Sequence, residues 1–162
     1  TMSYGHGISV SLTQLVRDYT ALARNGDVID LTLFKRSEGT EVKGTQVFKP
    51  ETARRMRAMM MDTVRRGGTA SNVKVDGYTV AGKTGTALKA KNGAYTKDVV
   101  ASFVGIVPAT QPRFIIAVMV DEPKNGRYGG RVAAPGFNEV AEGALRTLLV
   151  SDRESTRLNS SP

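Results

Sequence analysis

The stretch GYTVAGKTGTA, residues 77–87, decides between two folds for this 162-residue chain. Its spacing fits the phosphate-binding loop G-x-x-x-x-G-K-[ST], with Gly77, Gly82, Lys83 and Thr84 at the defined positions. However, the three residues 78–80 (Tyr-Thr-Val) favour extended structure, so the same stretch also fits a β-strand that ends in Lys-Thr-Gly-Thr. The first interpretation predicts a nucleotide-binding protein, and the second predicts a strand that binds a substrate.

The flanking sequence favours the strand. A phosphate loop joins a buried strand to the N-terminus of a helix, because backbone N–H groups must surround the phosphates. SNVKVD before Gly77 is short and mostly polar, and TGTALKAKNGAY after Lys83 has no helical apolar period. The apolar run FIIAVMVDE, which contains Asp121, fits the metal-positioning strand of a nucleotide hydrolase. That fold needs parallel strands, whereas the short connection at residues 108–112 predicts an antiparallel pair.

The first half of the chain is predicted to contain two helices and a hairpin. Apolar residues recur at helical spacing from Leu12 to about Arg24, after a capping box of Ser11 and Gln14. Residues 28–48 alternate like a β-hairpin. A second helix should begin at Pro50 and continue to Gly67–Gly68, with four residues facing inward: Ala53, Met56, Met60 and Val64.

The second half is predicted to form an antiparallel sheet, which gives an α+β fold with flanking helices. Candidate strands lie at residues 77–87, 99–107 and 113–120. Both faces of the last two strands are apolar, so we expect them to be covered on both sides. A final helix from about Pro135 to Leu149 should pack on the sheet through Phe137, Val140, Ala141, Ala144, Leu145 and Leu148.

Composition limits the functions available to the chain. Its formal net charge of +8 favours an anionic partner, but no block of basic residues indicates a nucleic-acid site. The chain has no cysteine, which excludes disulfides and thiolate chemistry. No metal or cofactor is expected. The polar residues 151–162 show no period, so we expect one domain over residues 1–150 and a tail outside it.

A strand with Lys-Thr-Gly-Thr at its end can accept an extended substrate by strand addition. Lys83 offers a fixed positive charge, and Thr84 and Thr86 offer hydroxyl donors to a terminal carboxylate. Gly85 has no side chain, so the two backbones can approach closely. From the residues alone, a solvated edge strand with no ligand remains an equal alternative.

VAGKTGTA, residues 80–87, resembles the Lys-Thr-Gly motif of penicillin-binding proteins and serine β-lactamases. Further similarity to the class B penicillin-binding transpeptidases, especially the division-specific type, covers about residues 3–150. It lies, in order, in SYGHGISVSLTQL (residues 3–15), GGTA (67–70), ASFVGIVPA (101–109), VDEP (120–123) and YGG followed by VAAP (128–135). The chain departs from the family at Gly136, where a larger apolar residue is usual.

The resemblance implies a partial penicillin-binding fold and a serine acyl-enzyme reaction without a cofactor. In this family a serine attacks peptidoglycan stem peptides ending in D-Ala-D-Ala, and β-lactams mimic that donor. Lys83 would act in catalysis, Thr84 and Thr86 would bind the donor carboxylate, and the Thr86 N–H would stabilise the oxyanion. Resemblance also implies division-machinery partners and a place on the periplasmic side of the bacterial inner membrane, behind an N-terminal transmembrane helix.

Two further motifs of the family, S-x-x-K and S-x-N, are not found in the sequence context that the family requires. S-x-N is absent, and S-x-x-K occurs once, at Ser71 and Lys74, between a helix stop and a strand rather than at a helix start. We therefore interpret Ser71 as a chance match. His6, the single histidine, is expected to line or support the site. The chain is predicted to be the C-terminal portion of a transpeptidase domain, inactive and poorly soluble alone; the alternative is a non-catalytic D-alanyl-peptide-binding module.

Overall fold

The computed structural model describes residues 8–37 and 39–148. The helices are α1 (Leu12–Ala23), α2 (Pro50–Met61), α3 (Gly129–Val132) and α4 (Ala134–Thr147). The strands are β1 (Asp27–Val28), β2 (Thr45–Gln46), β3 (Ala81–Lys91), β4 (Ala94–Val107) and β5 (Phe114–Asp121). The predicted α+β class with flanking helices is therefore confirmed.

A three-stranded antiparallel sheet in the order β3-β4-β5 forms the centre of the fold. The β4–β5 hairpin predicted from the short connection is confirmed, with Val107 opposite Phe114. β3 and β4 form a second hairpin at Asn92–Gly93, where φ is +53° and +79°, as a tight hairpin turn requires. This turn extends β3 to Lys91, whereas the predicted strand ended at residue 87. β3 also begins at Ala81, so residues 77–80 are not part of it.

One face of the sheet packs against α4 through an aromatic pair. Phe103 and Phe137 are fully buried, with ring centroids 4.9 Å apart in an edge-to-face arrangement at 83°. Gly82 and Gly105 are cross-strand partners. A Cβ on Gly82 would overlap the ring of Phe103, and one on Gly105 would lie 2.5 Å from the ring of Phe137. The two glycines therefore provide the space in which the aromatic pair sits.

The opposite face of the sheet packs against α1 and α2. Ala81 lies in a cluster with Met60 of α2, and Tyr19 and Leu22 of α1 pack against this cluster. Burial raises the pKa of the Tyr19 hydroxyl above its usual value. The predicted capping box of α1 is confirmed, because the Ser11 hydroxyl accepts from the Gln14 N–H and the Gln14 side chain accepts from the Ser11 N–H.

The predicted hairpin over residues 28–48 is wrong in extent. Only the two-residue strands β1 and β2 pair there. Leu33 and Phe34, read as strand residues, are almost fully exposed at 105% and 85%. Apolar alternation predicted a strand, but nothing in the described residues covers these side chains.

Two of the three long helices, α2 and α4, differ from prediction at their ends. α2 stops at Met61, so Val64 lies beyond it, and Met56 is 40% exposed rather than inward. The last helix begins at Ala134 after the separate turn α3, and Val140 and Leu148 are exposed although their spacing predicted burial. Met119 of β5 is also 54% exposed, so the described residues do not fully cover both faces of that strand.

In the described ranges, no helix combines the length and apolar character needed to span a membrane.

Candidate active site

A cleft opens beside β3 at the Lys-Thr-Gly-Thr motif. Alternation along the strand puts Thr84 and Thr86 on one face and Lys83 and Gly85 on the other. The cleft has a volume of about 340 Å³. It is lined by residues from three separate segments: Thr69, Ser71, Asn72, Thr84, Thr86, Tyr128, Gly129, Gly130 and Arg131.

Hydrogen bonds join the two threonines to the other walls of the cleft. The Thr84 hydroxyl lies 3.4 Å from the Thr69 hydroxyl. The Gly129 N–H donates to Thr86 Oγ1 at 3.2 Å. Because the Thr86 oxygen accepts this bond, its own proton stays free to point toward a ligand. The arrangement places the hydroxyls of Thr84 and Thr86 at the cleft.

The α3 turn fits against the sheet only because it begins with two glycines. A Cβ on Gly129 would overlap the carbonyl oxygen of Ser102 and lie 2.5 Å from that of Gly85. A Cβ on Gly130 would overlap the carbonyl oxygen of Thr69. Both glycines are buried. Their close approach holds the third wall of the cleft near β3.

The second wall, the loop at residues 69–75, is fixed from the core side. Ala70, Val73 and Val75 are buried in the main hydrophobic cluster. Asn138 of α4 adds two hydrogen bonds: its Oδ1 accepts from the Lys74 N–H at 3.1 Å, and its Nδ2 donates to the Asn72 carbonyl at 3.2 Å. These anchors hold residues 71 and 72 at the cleft.

Lys83 lies outside the cleft that contains Thr84 and Thr86. Its side chain is exposed, and its Nζ donates to the Thr84 carbonyl at 2.9 Å. Gly85 also faces away from the cleft, and a Cβ there would lie 2.5 Å from Ser102 Oγ. The predicted grouping of Lys83, Thr84 and Thr86 at one place is therefore divided between two faces of the strand.

Ser71 lines the cleft, a position that its interpretation as a chance match did not predict. Residues 71–74 form a turn and irregular structure, with no helix starting at Ser71. Lys74 is 82% exposed and pairs with Asp76 at 3.2 Å. The helical Ser–Lys arrangement of the family is thus not formed by this pair. His6 lies outside the described residues.

The phosphate-loop interpretation of residues 77–84 is wrong. Gly82, Lys83 and Thr84 lie inside β3, which pairs antiparallel with β4, and another strand rather than a helix follows. The backbone N–H groups therefore cannot converge on a phosphate. Within residues 8–37 and 39–148, no group of three or more His, Asp or Glu side chains could hold a metal ion.

A network of charged side chains joins the far ends of the three strands. Lys89 contacts Asp121 at 2.9 Å and Glu122 at 2.8 Å, and Lys91 contacts Asp98 at 2.8 Å. Hydrogen bonds to Glu122 and Asp121 raise the pKa of Lys89, and the bond to Asp98 raises the pKa of Lys91. In return, Lys91 lowers the pKa of Asp98, and Lys89 lowers that of Glu122. None of these residues lines the cleft, and the network ties β3 to β5.

The fold and cleft define a protein class: an α+β domain whose edge strand carries Lys-Thr-Gly-Thr beside a hydroxyl-lined cleft. Residues 1–142 match the Transpeptidase family, the penicillin binding protein transpeptidase domain. The chain is 45% identical to the transpeptidase domain of penicillin-binding protein 3 from Burkholderia pseudomallei, solved in its apo form. The TM-score is 0.87, and the match covers 94% of this chain and 47% of that one.

Curated relatives extend the similarity. The probable peptidoglycan D,D-transpeptidase PenA of Neisseria flavescens is 44% identical over 153 residues, 93% of this chain and 38% of that protein. The peptidoglycan D,D-transpeptidase FtsI of Escherichia coli K12 is 36% identical over 150 residues, 91% of this chain and 25% of that protein. The chain belongs to the class B penicillin-binding protein transpeptidase family, and it spans well under half the length of these relatives.

Proposed function

We propose that this chain is the substrate-binding portion of a peptidoglycan D,D-transpeptidase. The enzyme would cross-link stem peptides ending in D-Ala-D-Ala through a serine acyl-enzyme, and β-lactams would acylate the same serine. The nucleophile and the S-x-N motif would lie in a part of the enzyme outside these 162 residues. The observation that carries the proposal is the pair of hydroxyls of Thr84 and Thr86 on one wall of a cleft of about 340 Å³.

The hydrogen-bonding state of Thr86 supports carboxylate recognition, whereas the Thr84 hydroxyl donates to the Thr69 hydroxyl at 3.4 Å. Thr86 Oγ1 already accepts a hydrogen bond from the Gly129 N–H, so the Thr86 hydroxyl proton is available for donation to a ligand. Bonds from neutral donors to a charged acceptor typically contribute about 1.5 to 3 kcal/mol each. Thr86, together with Thr84 when its hydroxyl turns from Thr69 to the ligand, would fix a terminal carboxylate in register with β3.

The open edge of β3 supports a role for the Thr86 N–H in the oxyanion hole. The carbonyls of Gly82 and Thr84 accept hydrogen bonds from side chains. Thr63 Oγ1 donates to the Gly82 carbonyl at 2.9 Å, and Lys83 Nζ donates to the Thr84 carbonyl. Main-chain groups of an antiparallel strand alternate in direction, so those of Thr86 face the same edge as those of Gly82 and Thr84. A substrate carbonyl added at this edge would lie near that N–H.

Lys83 would contribute to the electrostatics and proton network of the reaction from the other side of β3. Its exposed ammonium group already reaches the strand edge at the Thr84 carbonyl. We further propose that residues 1–150 belong to the transpeptidase domain and that residues 151–162 lie outside it. The enzyme would act on the periplasmic side of the inner membrane, anchored by a transmembrane helix outside this chain, with division-machinery partners.

The role of Thr86 is tested by measuring acylation of the complete gene product by benzylpenicillin. Thr86→Val keeps the shape but removes the hydroxyl, so we expect acylation to slow about tenfold to a hundredfold. Thr86→Ser should stay within a few fold of wild type, since it retains the donor. Thr147→Val, on the far end of α4, serves as the control. A Thr86→Val enzyme acylated at the wild-type rate would contradict the proposed carboxylate contact.

A non-catalytic module that only binds D-alanyl peptides would use the same cleft. The two functions differ in the complete gene product: the enzyme forms a covalent adduct with benzylpenicillin, and the binding module does not. Reversible binding of a D-Ala-D-Ala peptide without any adduct would favour the module.

A further inference from the structure

The cleft beside β3 contains one charged side chain among its described lining residues, and it is not Lys83. Arg131 lines the cleft with Thr84 and Thr86, and its side chain is exposed. The other lining residues are neutral, and none is acidic. A substrate that enters this cleft therefore meets neutral hydroxyl and amide donors and a single guanidinium.

Within the described part of the chain, no carboxylate lies within ion-pair distance of Arg131. The other arginines of the chain include several that are paired, such as Arg17 with Asp30 at 2.9 Å and Arg24 with Asp27 at 2.7 Å. An exposed guanidinium without an internal partner is free to bind a carboxylate from outside. Its planar donors can hold a carboxylate through two parallel bonds.

The backbone around Arg131 is held firmly against the sheet. Gly129 and Gly130 are buried, and Gly129 donates to Thr86 Oγ1 at 3.2 Å. The Arg131 N–H donates to the Tyr128 carbonyl at 2.9 Å, which closes the α3 turn. The backbone at Arg131 is thus held by the same turn whose Gly129 N–H bonds the Thr86 hydroxyl.

We propose that Arg131 is the specificity-determining cation that binds the carboxylate of the donor peptide or β-lactam, together with Thr84 and Thr86. This inference rests on the proposed function of the cleft. The motif predicted that Lys83 supplies the positive charge for the carboxylate. However, Lys83 faces away from the two threonines, and its Nζ donates to the Thr84 carbonyl. The two cations then have different roles: Arg131 binds the carboxylate of the ligand, and Lys83 acts on the reaction centre.

The test compares acylation of the complete gene product by benzylpenicillin and by its methyl ester, which lacks the negative charge. We expect Arg131→Gln to slow acylation by the acid about tenfold to a hundredfold and to leave the ester rate unchanged. Arg131→Lys should recover part of the preference for the acid. Lys83→Met should slow both compounds alike. Arg127→Gln makes the same charge change outside the cleft lining and should alter neither rate.

The outcomes separate this inference from the function on which it rests. If wild type reacts with neither compound, the proposed function fails and the inference with it. If wild type prefers the acid and Arg131→Gln keeps that preference, only the role of Arg131 is wrong. If Arg131→Gln slows acid and ester equally, Arg131 supports the structure rather than selecting the ligand, which also overturns the inference. Thermal unfolding of each variant confirms that it is folded before rates are compared.

Discussion

Gly82 and Gly85 lie three residues apart on β3, and the structure assigns them different reasons for having no side chain. A Cβ on Gly82 would overlap the ring of Phe103 and lie 2.9 Å from the Val104 carbonyl. A Cβ on Gly85 would meet Ser102 Oγ at 2.5 Å, and the next nearest atom is Ser102 Cβ at 3.8 Å. A side chain at Gly82 would therefore clash with a core ring and a backbone carbonyl, whereas one at Gly85 would meet only a hydroxyl that can rotate away.

We therefore expect Gly85→Ala to be tolerated when Ser102→Ala removes that hydroxyl, and Gly82→Ala to remain destabilising. Overpacking of a core typically costs about 1 to 3 kcal/mol, so Gly82→Ala should lower the thermal unfolding midpoint by several degrees. Gly143→Ala is the control, because nothing lies within 4 Å of a Cβ there. Equal losses of stability in Gly82→Ala and in the Gly85→Ala, Ser102→Ala double variant would show that the assignment is wrong.

The sequence identified part of the candidate site at this scale. Thr84 and Thr86 were found because they share one short motif. Thr69, Asn72 and Arg131 come from distant segments, and only the packing of Gly129 and Gly130 against the sheet brings them to the cleft. GGTA and YGG carry part of the family resemblance, but neither stretch was predicted to contribute to the site.

At the scale of elements, the hairpin of β3 and β4 is held to β5 by the network of Lys89, Lys91 and their acidic partners. The pKa values of Asp98 and Glu122 are lowered, so their contribution to stability is present above their ordinary values near 4 and is lost as the pH falls through the lowered values. The pKa values of Lys89 and Lys91 are raised. The contribution of these two lysines to stability is therefore present below their ordinary pKa of about 10.4 and is lost as the pH rises through the raised values. The network should stabilise between about pH 5 and pH 10.

Lys89→Met tests this window. We expect the thermal unfolding midpoint to fall relative to wild type at pH 7 and the difference to shrink as the pH falls through the lowered pKa of Glu122. High salt should reduce the difference at pH 7, because the groups are partly exposed and are screened. Lys97→Met, on β4 and without an acidic partner among the described residues, is the control. A difference that stays constant as the solution is made strongly acidic would contradict the electrostatic account.

Element prediction succeeded where both faces of a segment are apolar and failed where pairing depends on the tertiary context. β4 and β5 were predicted because VVASFVGIV and FIIAVMV are apolar on both alternating faces, although the described residues cover β5 only in part. The extension of β3 to Lys91 was missed, since polar residues flank the Asn92–Gly93 turn. Residues 28–48 do alternate between apolar and polar side chains, but no described residue packs over Leu33 and Phe34.

At the scale of the whole molecule, the three-stranded sheet has two free edges within the described residues, β3 and β5. Exposed apolar side chains such as Met119 and Leu88 lie on these edge strands. Open edges pair readily with other chains. We expect the 162-residue chain, expressed alone, to associate in a concentration-dependent way in analytical ultracentrifugation. A monodisperse monomer that unfolds cooperatively would contradict this expectation.

The central claim is that this chain binds the substrate while the nucleophilic serine lies elsewhere in the enzyme. The most direct measurement is to label the complete gene product with benzylpenicillin and to map the modified peptide by mass spectrometry, with the isolated 162-residue chain treated in parallel. We expect one adduct on a serine outside these 162 residues and none on the isolated chain. An adduct on the isolated chain that disappears in Ser71→Ala, or no adduct on the complete gene product, would contradict the account.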